Sequence, residues 1–146
     1  MDAIHDNFEN LMAEAERLAK QIGERFTPIR RHVYKSLIGA PQPLGAYEIL
    51  DMLDGIGAQK PPTVYRALDW LLKLGLIRKV SSISKFVALP QGQSTDPMAV
   101  LICRDCGKVD VMESNHPVTQ LIDAAKGKGF KEVEATLEIL GACGEH

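Results

Sequence analysis

Two pairs of metal-type ligands, Cys103-x-x-Cys106 and Cys143-x-x-His146, bracket the last third of the chain and restrict its folding more than any other feature. Each pair is spaced to wrap one side of a tetrahedron, and thiolates with imidazole are the donors of closed structural zinc sites. If both pairs hold one ion, the end of the sequence is pinned beside the knuckle at Cys103. Gly107, directly after the first pair, permits the tight backbone such a knuckle requires. The competing reading makes Cys103 a buried strand cysteine and Cys143 to His146 a tail. A CxxC also serves as a redox pair, but no βαβ pattern surrounds this one. Three cysteines are an odd number, which argues against a disulfide framework. The fourth ligand is the weakest of the set, because the α-carboxylate of His146 competes with its own ring.

Upstream, the periodicity is helical. "FENLMAEAERLAKQIG" repeats Phe8, Leu11, Met12, Ala15, Leu18, Ala19 and Ile22 at steps of three and four, and Gly23 stops it. "FTPIRRHVYKSLIG" starts a helix with Thr27 as N-cap and Pro28 at the first position. "LGAYEILDMLDGIG" is a third helix burying Ile49, Leu50 and Leu53. "KPPTVYRALDWLLKLG" is a fourth, with Val64, Ala67, Leu68, Leu71 and Leu72 inward and no side-chain cap, leaving its first amides open to solvent or an anion. "LIRKVSSISKFVAL" reads as two β-runs around a serine-rich turn. That order is a winged helix-turn-helix, expected over 1–89. The stretch "PQGQSTDPM" within 90–98 reads as a linker. The remainder, 99–146, is a small α+β unit: "AVLIC" and "KVDVME" as strands, "SNHPVTQLIDAAKGKG" as a helix, and "FKEVEATLEIL" as an alternating strand. Its core is small enough to need a metal and a second protomer.

Charge divides the same way. Residues 1–90 hold 12 Lys/Arg against 10 Asp/Glu, and residues 91–146 hold 5 against 9. The basic half clusters Arg25, Arg30, Arg31 and Lys35, with Lys60 and Arg66 further on. A recognition helix needs cations for phosphates and side chains that reach base edges. Arg66 is a guanine-reading type, Tyr65 suits a phosphate or a thymine methyl, and Lys60 stands just before the helix. The plainer alternative is a packed Tyr65 and an ion-paired Arg66. No apolar run is long enough to span a bilayer, and "MDAIHDNFEN" lacks the pattern of a secretory signal, so the cytoplasm is the expected compartment. Catalysis is not expected: there is no persuasive Ser/His/Asp arrangement, no phosphate-cradling glycine loop, and a closed zinc site leaves no open coordination position.

"RFTPIRRHVYKSL", "PPTVYRALDWLLKLGLIRKV" and "LICRDCGKV" together resemble the ferric uptake regulator family over nearly the whole chain, and "KPPTVYRALDWLL" looks most like its zinc-responsive branch. The resemblance implies an N-terminal winged helix bound to a palindromic operator in double-stranded DNA, a C-terminal α+β dimerisation domain, and metal-dependent repression of metal-uptake genes by a homodimer. It places DNA contacts at Arg30, Lys60, Thr63, Tyr65 and Arg66. It places one structural Zn²⁺ per chain at Cys103, Cys106, Cys143 and the position of His146. The family's sensing site is histidine-rich, yet "LPQGQSTDPMAVLIC" holds no histidine, and the usual sensor positions fall on Arg78, Leu89 and Asp96. Glu113 is the one acidic position that matches. Asp96, Glu113 and His116 are thus the expected remnant of a weak or altered sensor. The alternative is a metal-independent or thiol-responsive regulator on the same fold.

Overall fold

The computed structural model has the element order α1 (Asp2–Gln21), α2 (Pro28–Gly39), α3 (Ala46–Met52), α4 (Pro61–Lys73), β1 (Ile77–Val80), β2 (Lys85–Ala88), β3 (Met98–Cys103), β4 (Val109–Glu113), α5 (Asn115–Gly127) and β5 (Leu137–Gly141). It describes residues 2–53 and 60–144, with the backbone alone for residues 2–6 and 115. The chain separates into two units, one ending at Ser94 and the other beginning at Thr95.

In the first unit the helical stripes interlock. Leu11, Ala15 and Leu18 of α1, Val33, Tyr34 and Leu37 of α2, Ile49 of α3, and Val64, Leu68 and Leu71 of α4 bury one shared core. α1 ends where Gly23 takes φ 72°, and Ile22, expected in the buried stripe, lies beyond the helix and is 45 % exposed. α2 starts as its sequence dictates, with Thr27 accepting a hydrogen bond from the Arg30 amide at 3.3 Å and Pro28 at the first position. α4 buries Trp70 as well as the expected aliphatic residues. β1 and β2 pair antiparallel from Ile77↔Ala88 to Val80↔Lys85, and Leu44 bridges to Phe86 as a third rung of the wing.

The segment expected to be a linker is largely built into this unit. The Ser94 amide donates to the Gly75 carbonyl at 2.9 Å and the Leu89 amide to the Leu76 carbonyl at 3.1 Å. The Gln93 amide donates to Glu14 at 2.6 Å, its side-chain nitrogen to the Leu74 carbonyl at 3.0 Å, and Arg78 to the Ser94 carbonyl at 2.5 Å. Gly92 makes this possible: at φ 88° and against the Glu14 carboxylate, a Cβ would have no room.

The second unit is a three-stranded sheet in the order β4-β3-β5. β3 runs antiparallel to β4 from Met98↔Glu113 to Ile102↔Val109, and parallel to β5 from Ala99↔Leu137 to Cys103↔Gly141. The alternating strand expected over 130–140 forms only from Leu137. Upstream of it Glu132 takes φ 52°, which interrupts an extended run. α5 buries Val118, but Leu121, expected on the same side, is 63 % exposed.

Candidate functional site

The register of the second sheet assembles the first site. Cys103 ends β3 directly opposite Gly141, so Cys143, two residues further, returns to the knuckle. The Arg104 amide donates to the Gly141 carbonyl at 2.8 Å and locks this junction. Between the first two cysteines the chain turns back on itself: the Gly107 amide reaches the Cys103 carbonyl at 3.0 Å, and Gly107 takes φ 76°. The three sulfurs all lie within 4.8 Å of one another, and Cys106 and Cys143 are 3.7 Å apart. A tetrahedron with Zn–S bonds of about 2.3 Å has edges of about 3.8 Å. The trio therefore fits zinc. The Cys143 amide donates to the Cys103 sulfur at 3.3 Å. Backbone donation from Cys106 first, and then from Cys143, pulls the Cys103 thiol down to about 6, readying it as a thiolate. His146, expected as the fourth ligand, lies outside the described residues.

The expected remnant sensor is placed in the same unit. Asp96 is exposed ahead of β3, Glu113 is the exposed last residue of β4, and His116 is exposed in the first turn of α5. Among the described residues the cysteine trio is the one group of three or more metal-type ligands that converges. Arg78, at a position where the family resemblance expects a ligand, instead engages the carbonyls of Ile77 and Ser94.

The second site is α4 and its surroundings. Lys60 is the N-cap residue and is exposed, Thr63 is half-buried in the first turn, Tyr65 is 45 % exposed and Arg66 is exposed. The helix start does not offer the open amides its sequence implied. Pro61 and Pro62 have none, and the Thr63 amide is taken by the Lys60 carbonyl at 2.9 Å. Attraction for an anion at this end must come from the side chains. Arg30, expected beside them, is laid over the Trp70 ring with its guanidinium carbon 4.4 Å from the centroid, and it donates to the Arg25 carbonyl at 2.7 Å. Two further residues stand out here that the sequence did not single out. Glu24 accepts from the Trp70 indole, and Tyr47, at the start of α3, is 64 % exposed. An aromatic in the first turn of a short helix was the available clue for Tyr47.

The model of the ferric uptake regulator family matches residues 21–140. The zinc uptake regulation proteins of Escherichia coli (strain K12) and Shigella flexneri are each 36 % identical over 138 residues, covering 92 % of this chain and 80 % of theirs. Among solved structures, a zinc uptake regulator complexed with zinc and DNA is 33 % identical, covers 94 % of this chain and 93 % of its own, and superposes with a TM-score of 0.84. Holo XcZur is 37 % identical with a TM-score of 0.79, covering 93 % of this chain and 96 % of its own.

Proposed function

We infer the function from the premise that this chain belongs to the ferric uptake regulator family: it is a sequence-specific DNA-binding repressor that works as a homodimer and controls genes of zinc homeostasis. The observation that carries this is the coincidence of a winged helix whose fourth helix exposes Lys60, Tyr65 and Arg66 with a cysteine trio of zinc dimensions. The likeness to a relative solved with zinc and DNA supports it. Lys60 and Thr63 serve phosphates at the groove edge, Tyr65 and Arg66 reach base edges, and Arg30 flanks them from α2. Met112, Leu121, Phe130, Ile139 and Leu140 are exposed apolar side chains of this small unit, with Met112 and Ile139 on one face of its sheet, which suits burial against a second copy. No described helix is long and apolar enough to cross a membrane. The protein acts in the cytoplasm and is no enzyme.

Cys103, Cys106 and Cys143, with His146 as fourth ligand, hold one zinc ion, and that ion fixes the end of β5 to the knuckle. Bound zinc supplies a cross-link, with no open position for chemistry. Asp96, Glu113 and His116 form at most an altered, weakly held second site, since they are exposed and do not converge with a third ligand. Metal stoichiometry before and after mild chelation tests both statements. One ion per chain that resists chelation supports the structural site, and a second, labile ion identifies the altered sensor. Protein that folds and dimerises with no metal at all overturns the assignment.

A further inference from the structure

Glu24 is an acid on the most basic corner of the first unit, in the short connection between α1 and α2. Its carboxylate accepts a hydrogen bond from the indole N–H of Trp70 on α4. It also stands 3.9 Å from the Arg30 guanidinium of α2 and 3.9 Å from the Lys73 ammonium of α4. Arg30 lies over the same indole, and Phe26 stacks on it with centroids 5.9 Å apart. One carboxylate thus joins the start of α2 to the far half of α4. Trp70 follows Arg66 by four residues, so the two side chains share one side of the helix. Whatever fixes the indole fixes α4 against the start of α2, and Arg66 is carried on α4.

An acid at this place also opposes binding, because it repels the phosphate backbone. Its presence is therefore informative. We propose that Glu24 is the positioning residue of the recognition helix: it holds the Trp70 indole and the Arg30 guanidinium together and so sets how Arg66 and Tyr65 meet the bases. Arg30 then acts through the indole rather than on a phosphate. The proposal rests on the DNA-binding reading above and adds a determinant of specificity that does not itself touch DNA.

Charge and positioning predict opposite signs. Removal of an acid that matters only by charge strengthens binding to every duplex. Removal of a positioning residue lowers discrimination between duplexes while leaving general attraction intact or stronger. The test uses the full chain with its zinc. Duplexes selected by the wild-type protein from a random pool are compared with a duplex of random sequence, at low and high salt. Two variants are read: Glu24→Ala, and Trp70→Phe, which keeps an aromatic side chain but removes the N–H donor along with part of the buried indole. Each is expected to lower the ratio of selected to random affinity by about tenfold, the lower end of the worth of a hydrogen bond to a charged group. Glu24→Ala is expected to bind the random duplex at least as tightly as wild type. The double variant is expected to lose clearly less than the sum of the two single losses, because both break the Glu24–Trp70 contact. Melting curves check folding, and Trp70→Phe reads the same quantity if Glu24→Ala is destabilised. An unchanged ratio, or losses that add in the double variant, overturns the proposal while DNA binding stands. Wild-type protein that prefers no duplex overturns the DNA-binding reading and this proposal with it.

Discussion

Cys103 is the residue on which local geometry and chemistry meet most closely. Backbone amides hold its thiol at about 6, well below the ordinary thiol value of 9.0. For a depressed acid, the stabilising contribution to the metal-free fold is complete above the ordinary value and is lost as pH falls through about 6. Protons and zinc compete for the same sulfur, so zinc retained in equilibrium dialysis should hold at neutral pH and fall as the medium is acidified. Retention with no dependence on pH down to full protonation of free thiols and imidazoles in strong acid would show that thiolates are not the ligands. Tyr34 offers a second prediction. Its hydroxyl is buried without a hydrogen-bond partner among the described residues, and burial raises its pKa. Tyr34→Phe should therefore stabilise the first unit, by about 1 kcal/mol, seen as a higher melting temperature. The cysteine pairs were legible in the sequence because ligand spacing is local. The Glu24–Trp70 hydrogen bond was not, because it joins residues 46 positions apart and neither type announces the other.

Among elements, α2 and α4 could be read from the sequence because prolines and a capping threonine mark their starts within a turn. Thr27→Ala should cost about 1 kcal/mol of stability, measured by denaturant unfolding of the intact chain, since the Arg30 amide loses its acceptor. The first part of the expected 90–98 linker, residues 90–94, shows the opposite case. Proline, glycine and serine made it read as linker, but its polar groups are satisfied by Glu14, Leu74, Gly75 and Arg78, from parts of the chain no local pattern connects. Glu14→Ala frees the Gln93 amide and should raise the rate of proteolytic cutting within 90–94 severalfold, read by mass spectrometry of the fragments. An unchanged cutting pattern would mean that the segment is held without Glu14. β5 was overextended because alternation from Phe130 onward meets the rule for a strand, while Glu132 at φ 52° interrupts the extended backbone and pairing begins only at Leu137.

For the molecule as a whole, the division into a basic and an acidic half was visible in composition, and the structure divides between Ser94 and Thr95. What composition could not show is which apolar residues stay uncovered, because an exposed Leu121 and a buried Val118 look alike until the helix is placed. Those uncovered residues link metal to DNA on the proposed reading. The zinc clamp shapes the unit that dimerises, and two linked winged helices are what a palindrome requires. Cys143→Ala should thus weaken zinc binding by well over roughly tenfold, and it should lower DNA affinity only through the dimer. The distinction is measurable. If zinc acts through dimerisation, operator binding by Cys143→Ala recovers as protein concentration is raised, and sedimentation shows dimer returning over the same range. If zinc acted on the DNA-contacting helix itself, binding would stay weak at any concentration at which dimer is present. The first outcome is expected, because all three cysteines belong to the second unit, whereas Lys60, Tyr65 and Arg66 belong to the first.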